Sequence, residues 1–310
     1  MDAVIQEFEH KTTYWYNHKT SVSINEAHLK PRHSPNQTLL AHHLVIHPAP
    51  SWIREHPDFF GNPVKIFSID EPHGQLEIIS KGSVKISTPQ PGAFSHANPL
   101  SEREGGRENE NEMAWEEARE WLAKEASGHA NEVGQFLFDS PHLQRSPLFA
   151  QFAMPSFSPG RSLREAAADL CRRIHREFRY APNSTALTTS AEELLIKREG
   201  VCQDFTHLMI ICLRSIGLAA RYVSGYIETK PSSDKEKLQG ADASHAWASV
   251  YCPHRGWMDF DPTNDLQPAD RHITVAWGRD YHDIIPVRGV YWGNATQTVQ
   301  VAVTVRRKPI

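Results

Sequence analysis

The sequence predicts an α+β protein in two parts, an N-terminal β-sandwich followed by helices packed on an antiparallel sheet. Three observations carry that expectation. Up to about residue 90, short strand-like runs alternate with Pro, Gly and Asn. Amphipathic helical patterns then cluster between Ser162 and Gly217, and strand periodicity returns after Gly217. Helices first and strands afterwards place the second part in the α+β class.

The early runs are Ala41 to Pro48, Val64 to Asp70, Leu76 to Ser80 and Ser83 to Ser87. Gly61-Asn62-Pro63 and Pro72-His73-Gly74 carry turn chemistry, since glycine permits positive φ and proline presets φ while removing a donor. Residues 1–100 are therefore expected to form the sandwich. Ser101 to Glu112 holds no apolar side chain and reads as a solvated linker. Trp115, Ala118, Trp121, Leu122 and Ala126 recur at helical spacing after it, and Pro141, Pro147, Pro155 and Pro159 predict irregular chain. Residues 101–160 are expected to connect, and 161–310 to form the second domain.

That domain opens with Ser162-Leu163-Arg164-Glu165, a capping-box pattern, followed by an apolar stripe of Leu163, Ala166, Ala167, Leu170, Ile174 and Phe178. Ser190-Ala191-Glu192-Glu193 repeats the capping logic for a short helix stopping near Gly200. The helix from Cys202 is expected to bury Phe205, Leu208, Met209, Cys212, Leu213 and Ile216 and to end at Gly217. Strands follow at Arg221 to Ile227, His245 to Cys252, Gly256 to Phe260 and Thr298 to Val305; in the last, alternating valines mark a half-buried strand.

Composition narrows the function classes. The 310 residues carry 39% hydrophobic and 23% charged side chains, which fits globular domains and excludes a disordered or fibrous chain. A net charge of −4 argues against a nucleic-acid partner. The longest apolar run, Leu208 to Leu213, is far short of the ~20 residues a membrane helix needs, so no membrane association is expected. The first residues lack an export pattern, and four cysteines without CxxC spacing suit a reducing compartment, so the cytoplasm is the expected location.

Cys202 falls between Gly200-Val201 and a helix whose first turn offers unpaired N–H groups and the positive end of the macrodipole. Both favour the thiolate, the form that attacks carbonyls. Cys171, Cys212 and Cys252 lie on apolar faces and read as core thiols; Cys202 precedes its stripe and is followed by polar Gln203 and Asp204. His245 begins a strand and shares a face with Trp247. Asp261 closes the strand that follows, with Asp259 as a rival carboxylate on the same face. Cysteine, histidine and aspartate together supply a nucleophile, its base and an orienting group. His42-His43 with His47, or Cys171 with His175, lack a metal-site frame, and no phosphate loop is present, so no cofactor and no metal are expected.

Several motifs taken together resemble the transglutaminase-like superfamily in its bacterial two-domain form. They are Gly200-Val201-Cys202-Gln203-Asp204-Phe205-Thr206-His207, Ala220-Arg221-Tyr222-Val223-Ser224-Gly225-Tyr226, His245-Ala246-Trp247 and Asp261-Pro262-Thr263-Asn264, continuing through His272 and Gly278-Arg279-Asp280-Tyr281. In the first domain they include Leu29-Lys30-Pro31-Arg32 and Asp58-Phe59-Phe60-Gly61-Asn62. The resemblance implies a papain-like cysteine-protease core, with Cys202 as nucleophile, His245 as base and Asp261, rather than Asp259, as orienting carboxylate. It makes 161–310 a catalytic domain acting on a peptide or protein substrate, by hydrolysis or by transfer of a glutamine acyl group to an amine; a catalytically silent binding module is the remaining alternative.

Overall fold

A computed structural model of the chain describes residues 3–87, 112–124, 130–182, 190–229 and 243–308. Most of the charged segment Ser101 to Glu112 lies outside the described residues. Six strands come first: β1 (Ala3–Thr20), β2 (Val22–Ala27), β3 (Gln37–His47), β4 (Trp52–Pro57), β5 (Pro63–Ile69) and β6 (His73–Ser87). Helices α1 (Trp115–Lys124), α2 (Ala130–Gly134), α3 (Pro147–Ala153) and α4 (Leu163–Glu177) follow. Next come β7 (Arg179–Tyr180), α5 (Ala191–Lys197), β8 (Glu199–Gly200) and α6 (Cys202–Ser215). The chain closes with β9 (Ala220–Ile227), β10 (His245–Cys252), β11 (Gly256–Phe260), β12 (His272–Gly278), β13 (Val287–Trp292) and β14 (Gln297–Lys308).

The predicted capping residues act as expected. Ser162 accepts from the Glu165 N–H and Ser190 from the Glu193 N–H, each satisfying one orphan donor at a helix start. Gly217 takes φ +86 just beyond α6, the left-handed stop that glycine permits. Pro147 departs from expectation. It opens α3 instead of breaking the chain, because the first helical position needs no N–H. Leu76 to Ser80 and Ser83 to Ser87 are one strand, β6, not two. Gly82 bridges them where a Cβ would meet the Ala41 carbonyl oxygen at 2.1 Å, so the ladder survives only without a side chain there.

Sheet membership departs further. The sandwich has sheets ordered β14-β1-β6-β3 and β13-β2-β5-β4, and both recruit a strand from the chain's end. Sequence position had grouped those strands with the second domain. Their register explains the difference: twelve residues of β14 pair antiparallel with β1, from Ile5 opposite Lys308 to Tyr16 opposite Gln297. Of the alternating valines, Val303 and Val305 are buried while Val299 and Val301 are exposed, so only half of β14 covers a core. Tyr16, Leu29, Phe67, Ile69, Leu76 and Ile78 fill the space between the two sheets.

The second sheet system is antiparallel, ordered β11-β10-β9-β12, with α6 against β9 and β10. Amphipathic spacing predicts one buried stripe on α6, yet Thr206, His207, Ile210, Ile211 and Arg214 are buried as well. α3, α4 and α5 close around the faces that the sheet leaves open, so α6 is a central helix. No helix among the described residues is long and apolar enough to cross a membrane.

Side-chain amides join the two parts. Edge strand β12 presents unpaired backbone groups, and Gln37 answers them at Thr274, accepting from its N–H and donating to its carbonyl, both at 2.8 Å. Asn62 repeats the pattern at Trp277, accepting at 3.0 Å and donating at 2.8 Å. Each carboxamide thus stands in for a peptide unit of a neighbouring strand. Arg32 lies 3.5 Å over the Trp277 ring, and Arg221 lies 3.9 Å from the same ring. Asn62→Ala removes a buried amide and the bonds it makes to half-buried Trp277, Asp58 and Arg32. It is expected to cost about 2–4 kcal/mol, read as a lower denaturant midpoint at unchanged slope.

Candidate active site

The site is built where α6 begins. Cys202 is its first residue, and Val201 before it is extended. The Val201 N–H donates to Asp204 Oδ2 at 2.8 Å, which pins the first turn. A Cβ on Gly200 would meet that same carboxylate at 2.8 Å, so glycine is required for the approach. The Cys202 N–H belongs to the opening turn, where no helical carbonyl can reach it. β7 runs parallel to β8 and sets Tyr180 opposite Gly200, beside the cysteine. Cys202 is half-buried; the other three cysteines are buried, and burial pushes their thiols above the usual range.

His245 opens β10 and Asp261 follows β11, two neighbours in the sheet. The structure brings them together: His245 Nε2 donates to Asp261 Oδ2 at 2.8 Å with both side chains fully buried. Asp259 makes no such bond; it stands opposite Ser249 in the β10–β11 ladder. Burial disfavours the imidazolium, but the Asp261 charge and hydrogen bond outweigh it, and the Cys202 thiol adds to them. The His245 pKa is raised to about 10. Cys202 therefore neighbours the ring, although Nδ1, the nitrogen facing away from the carboxylate, has no partner in hydrogen-bonding alignment. Burial likewise opposes ionisation of Asp261, yet His245 and His272 hold it well below the usual carboxylate range.

Asp261 is saturated with donors. Oδ1 accepts from the Thr263 N–H at 3.0 Å and the Asn264 N–H at 3.3 Å. Oδ2 accepts from Asn264 Nδ2 at 2.8 Å and His272 Nε2 at 3.3 Å as well as from His245. The turn is itself held by α4, where His175 Nδ1 donates to the Thr263 carbonyl at 2.9 Å. Trp247 packs edge-on to His272, with ring centroids 5.2 Å apart, and 6.2 Å from His245. Gly225 makes room for it, since a Cβ there would meet the indole at 2.4 Å. Ligand atoms of His245, Asp261 and His272 lie within 4.8 Å of one another. Each ring donates its Nε2 proton to the carboxylate, and the three form a hydrogen-bond cluster. His42, weighed in the sequence as a ligand, bonds Ser80 Oγ at 2.9 Å instead.

Three tyrosines received no role from the sequence, although Tyr222 and Tyr281 fall within its motifs. Burial, with the neighbouring Cys202 as a lesser cause, raises the phenols of Tyr180 (to about 12), Tyr222 and Tyr281. All three stay protonated at neutral pH and remain O–H donors near the sulfur. Tyr281 is anchored by its N–H donating to His207 Nε2 at 3.1 Å, on a ring that burial keeps neutral with its pKa lowered to about 3. Spacing gave no signal for any of them, because they come from β7, β9 and the short turn after β12.

Residues 7–85 match the bacterial transglutaminase-like N-terminal region, and residues 151–262 match the transglutaminase-like superfamily. An uncharacterised protein of Mycobacterium tuberculosis is 38% identical over 94% of this chain and 88% of its own length. The chain belongs to the transglutaminase-like superfamily. Its fold matches that of a candidate cysteine protease from Cytophaga hutchinsonii at TM-score 0.71 and 21% identity, over all of this chain and 92% of the other. A protein-glutamine gamma-glutamyltransferase of Pseudomonas aeruginosa is 34% identical over 33% of this chain and 16% of its own.

Two outcomes are expected of this site. Iodoacetamide at neutral pH should label Cys202 well ahead of Cys171, Cys212 and Cys252, with His245→Ala reducing the preference; peptide mass mapping reads both. Because the folded His245 pKa lies above the unfolded value of about 6.5, its ion pair stabilises fully below pH 6.5. That contribution is lost as pH rises through about 10. The wild-type melting temperature should fall more steeply across that window than that of His245→Ala.

Proposed function

We propose that the chain cleaves amide bonds in a peptide or protein substrate by thiol acyl chemistry, with Cys202 as nucleophile, His245 as acid–base group and Asp261 as its orienting carboxylate. The observation that carries this reading is the fully buried His245–Asp261 pair at 2.8 Å beside a half-buried cysteine at a helix start. With Nε2 committed to Asp261, the other nitrogen of the ring, Nδ1, holds the proton drawn from the thiol, the charged ring being favoured by its raised pKa.

The thiolate then attacks the carbonyl carbon, and the carbonyl π electrons move onto oxygen. That oxyanion meets the N–H groups of the first turn of α6, with the phenols of Tyr180, Tyr222 and Tyr281 as the nearby side-chain donors. The imidazolium gives its proton to the leaving nitrogen, the C–N bond breaks, and a thioester remains. Water, deprotonated by His245, resolves it to the acid and free thiol. The partial likeness to a gamma-glutamyltransferase supports a second resolution, in which a primary amine takes the acyl group. Four unpaired cysteines support a reducing compartment such as the cytoplasm.

Glutamine-containing peptides with and without a primary amine, followed by mass, test the reading. A gain of about one mass unit, as OH replaces NH2, is expected without amine, and a conjugate only if transfer competes with water. Cys202→Ser should retain the fold and lose turnover at least a thousandfold. Turnover surviving that substitution removes the cysteine from the mechanism.

A further inference from the structure

Asp261 Oδ2 is shared by two histidines, and the proposed chemistry uses only one. His272 reaches that oxygen from edge strand β12, with Nε2 at 3.3 Å and the ring buried against Trp247. A carboxylate only accepts, so Nε2 carries the hydrogen. Nδ1 on the far side is buried with no hydrogen-bond partner, so a second proton there would have no acceptor. The charged groups facing the ring are Asp261, the His245 imidazole and, more remotely, Asp259 on β11. Burial outweighs the two carboxylates and lowers its pKa, which agrees with the geometry.

We propose that His272 is a positioning residue, a permanently neutral imidazole that donates to the oxygen binding His245 and so limits how tightly Asp261 holds the His245 proton. Each donor on Oδ2 takes up part of that oxygen's negative charge. Without His272 the carboxylate would bind the imidazolium more strongly, and His245 would surrender its proton to a leaving amine less readily. Steps that need no proton from His245 would be spared. The kinetic part of this inference rests on the amide-cleaving reading; the protonation states do not.

Two measurements separate them. Histidine ring nitrogens, labelled with 15N and followed by long-range proton correlation, report tautomer and charge in the intact protein whatever its substrate. His272 should show a neutral ring protonated at Nε2 from pH 6 to pH 9. In His272→Phe, the His245 titration should move upward by about one unit, and in His272→Gln, whose amide can donate to Oδ2, it should return toward wild type. A His272 ring charged or protonated at Nδ1 in that range overturns the proposal, as does an unmoved His245 titration in a folded phenylalanine variant.

The second measurement compares an amide with a p-nitrophenyl ester, whose leaving group departs without a proton. His272→Phe should lower kcat for the amide about tenfold with KM unchanged, and change the ester acylation burst less than twofold. Equal losses on both substrates would reduce His272 to a packing role and overturn the proposal. A wild-type protein whose Cys202 alkylates yet acylates with neither substrate would instead refute the amide-cleaving reading, leaving the titration result to stand or fall by itself.

Discussion

A carboxylate with no access to water organises the site. Asp261 is wholly buried, and an unpaired charge there would be intolerable, so the surrounding chain is arranged to answer it. Two backbone N–H groups of its own turn, the Asn264 amide and two imidazoles converge on its two oxygens. Those donors come from β10, β12 and the turn after β11. The demand for satisfaction thereby fixes the relative placement of three segments, and the position of His245 follows from it. Cys202 is oriented separately, by the Asp204 cap and the glycine that lets it close.

The N-terminal sandwich is part of the same arrangement. β12 supplies His272 and is an edge strand, which left open would be both mobile and prone to pairing with other chains. Gln37 and Asn62 cover that edge with side-chain amides, and the Arg32–Trp277–Arg221 stack clamps its far end. The apolar core continues across the junction, with Phe8, Val84 and Ile86 joining the cluster around α6. The final strands return to pair with β1 and β2, so the chain both enters and leaves the second sheet system from the sandwich.

Much of this was legible in the residues. Helix starts at Ser162 and Ser190 were readable because capping is local: the serine oxygen needs only an N–H three residues away. β9, β10 and β11 were readable from dense apolar alternation. β12 and β13 were not, and β13 exposes most of its residues. β14 was recognised as a strand and assigned to the wrong sheet, because alternation reports a buried face without saying what buries it. Cys202, His245 and Asp261 stood out through position at element ends. As ordinary-looking residues of strands and a turn, His272, Trp247, Tyr222 and Tyr281 were visible only as members of longer motifs, and Tyr180 was not visible.

The sequence by itself determined the class of fold, the helix that presents Cys202 and the set of residues able to do acyl chemistry. Each depends on neighbours within a turn or two, where hydrogen-bond reach and side-chain periodicity act directly. Tertiary structure alone decided that a second histidine shares the oxygen binding His245, and that the chain's last strands complete the first domain. Those outcomes join residues from 11 to more than 250 positions apart, as in the His272–Asp261 and Tyr14–Val287 contacts, and no local pattern encodes a distance of that kind.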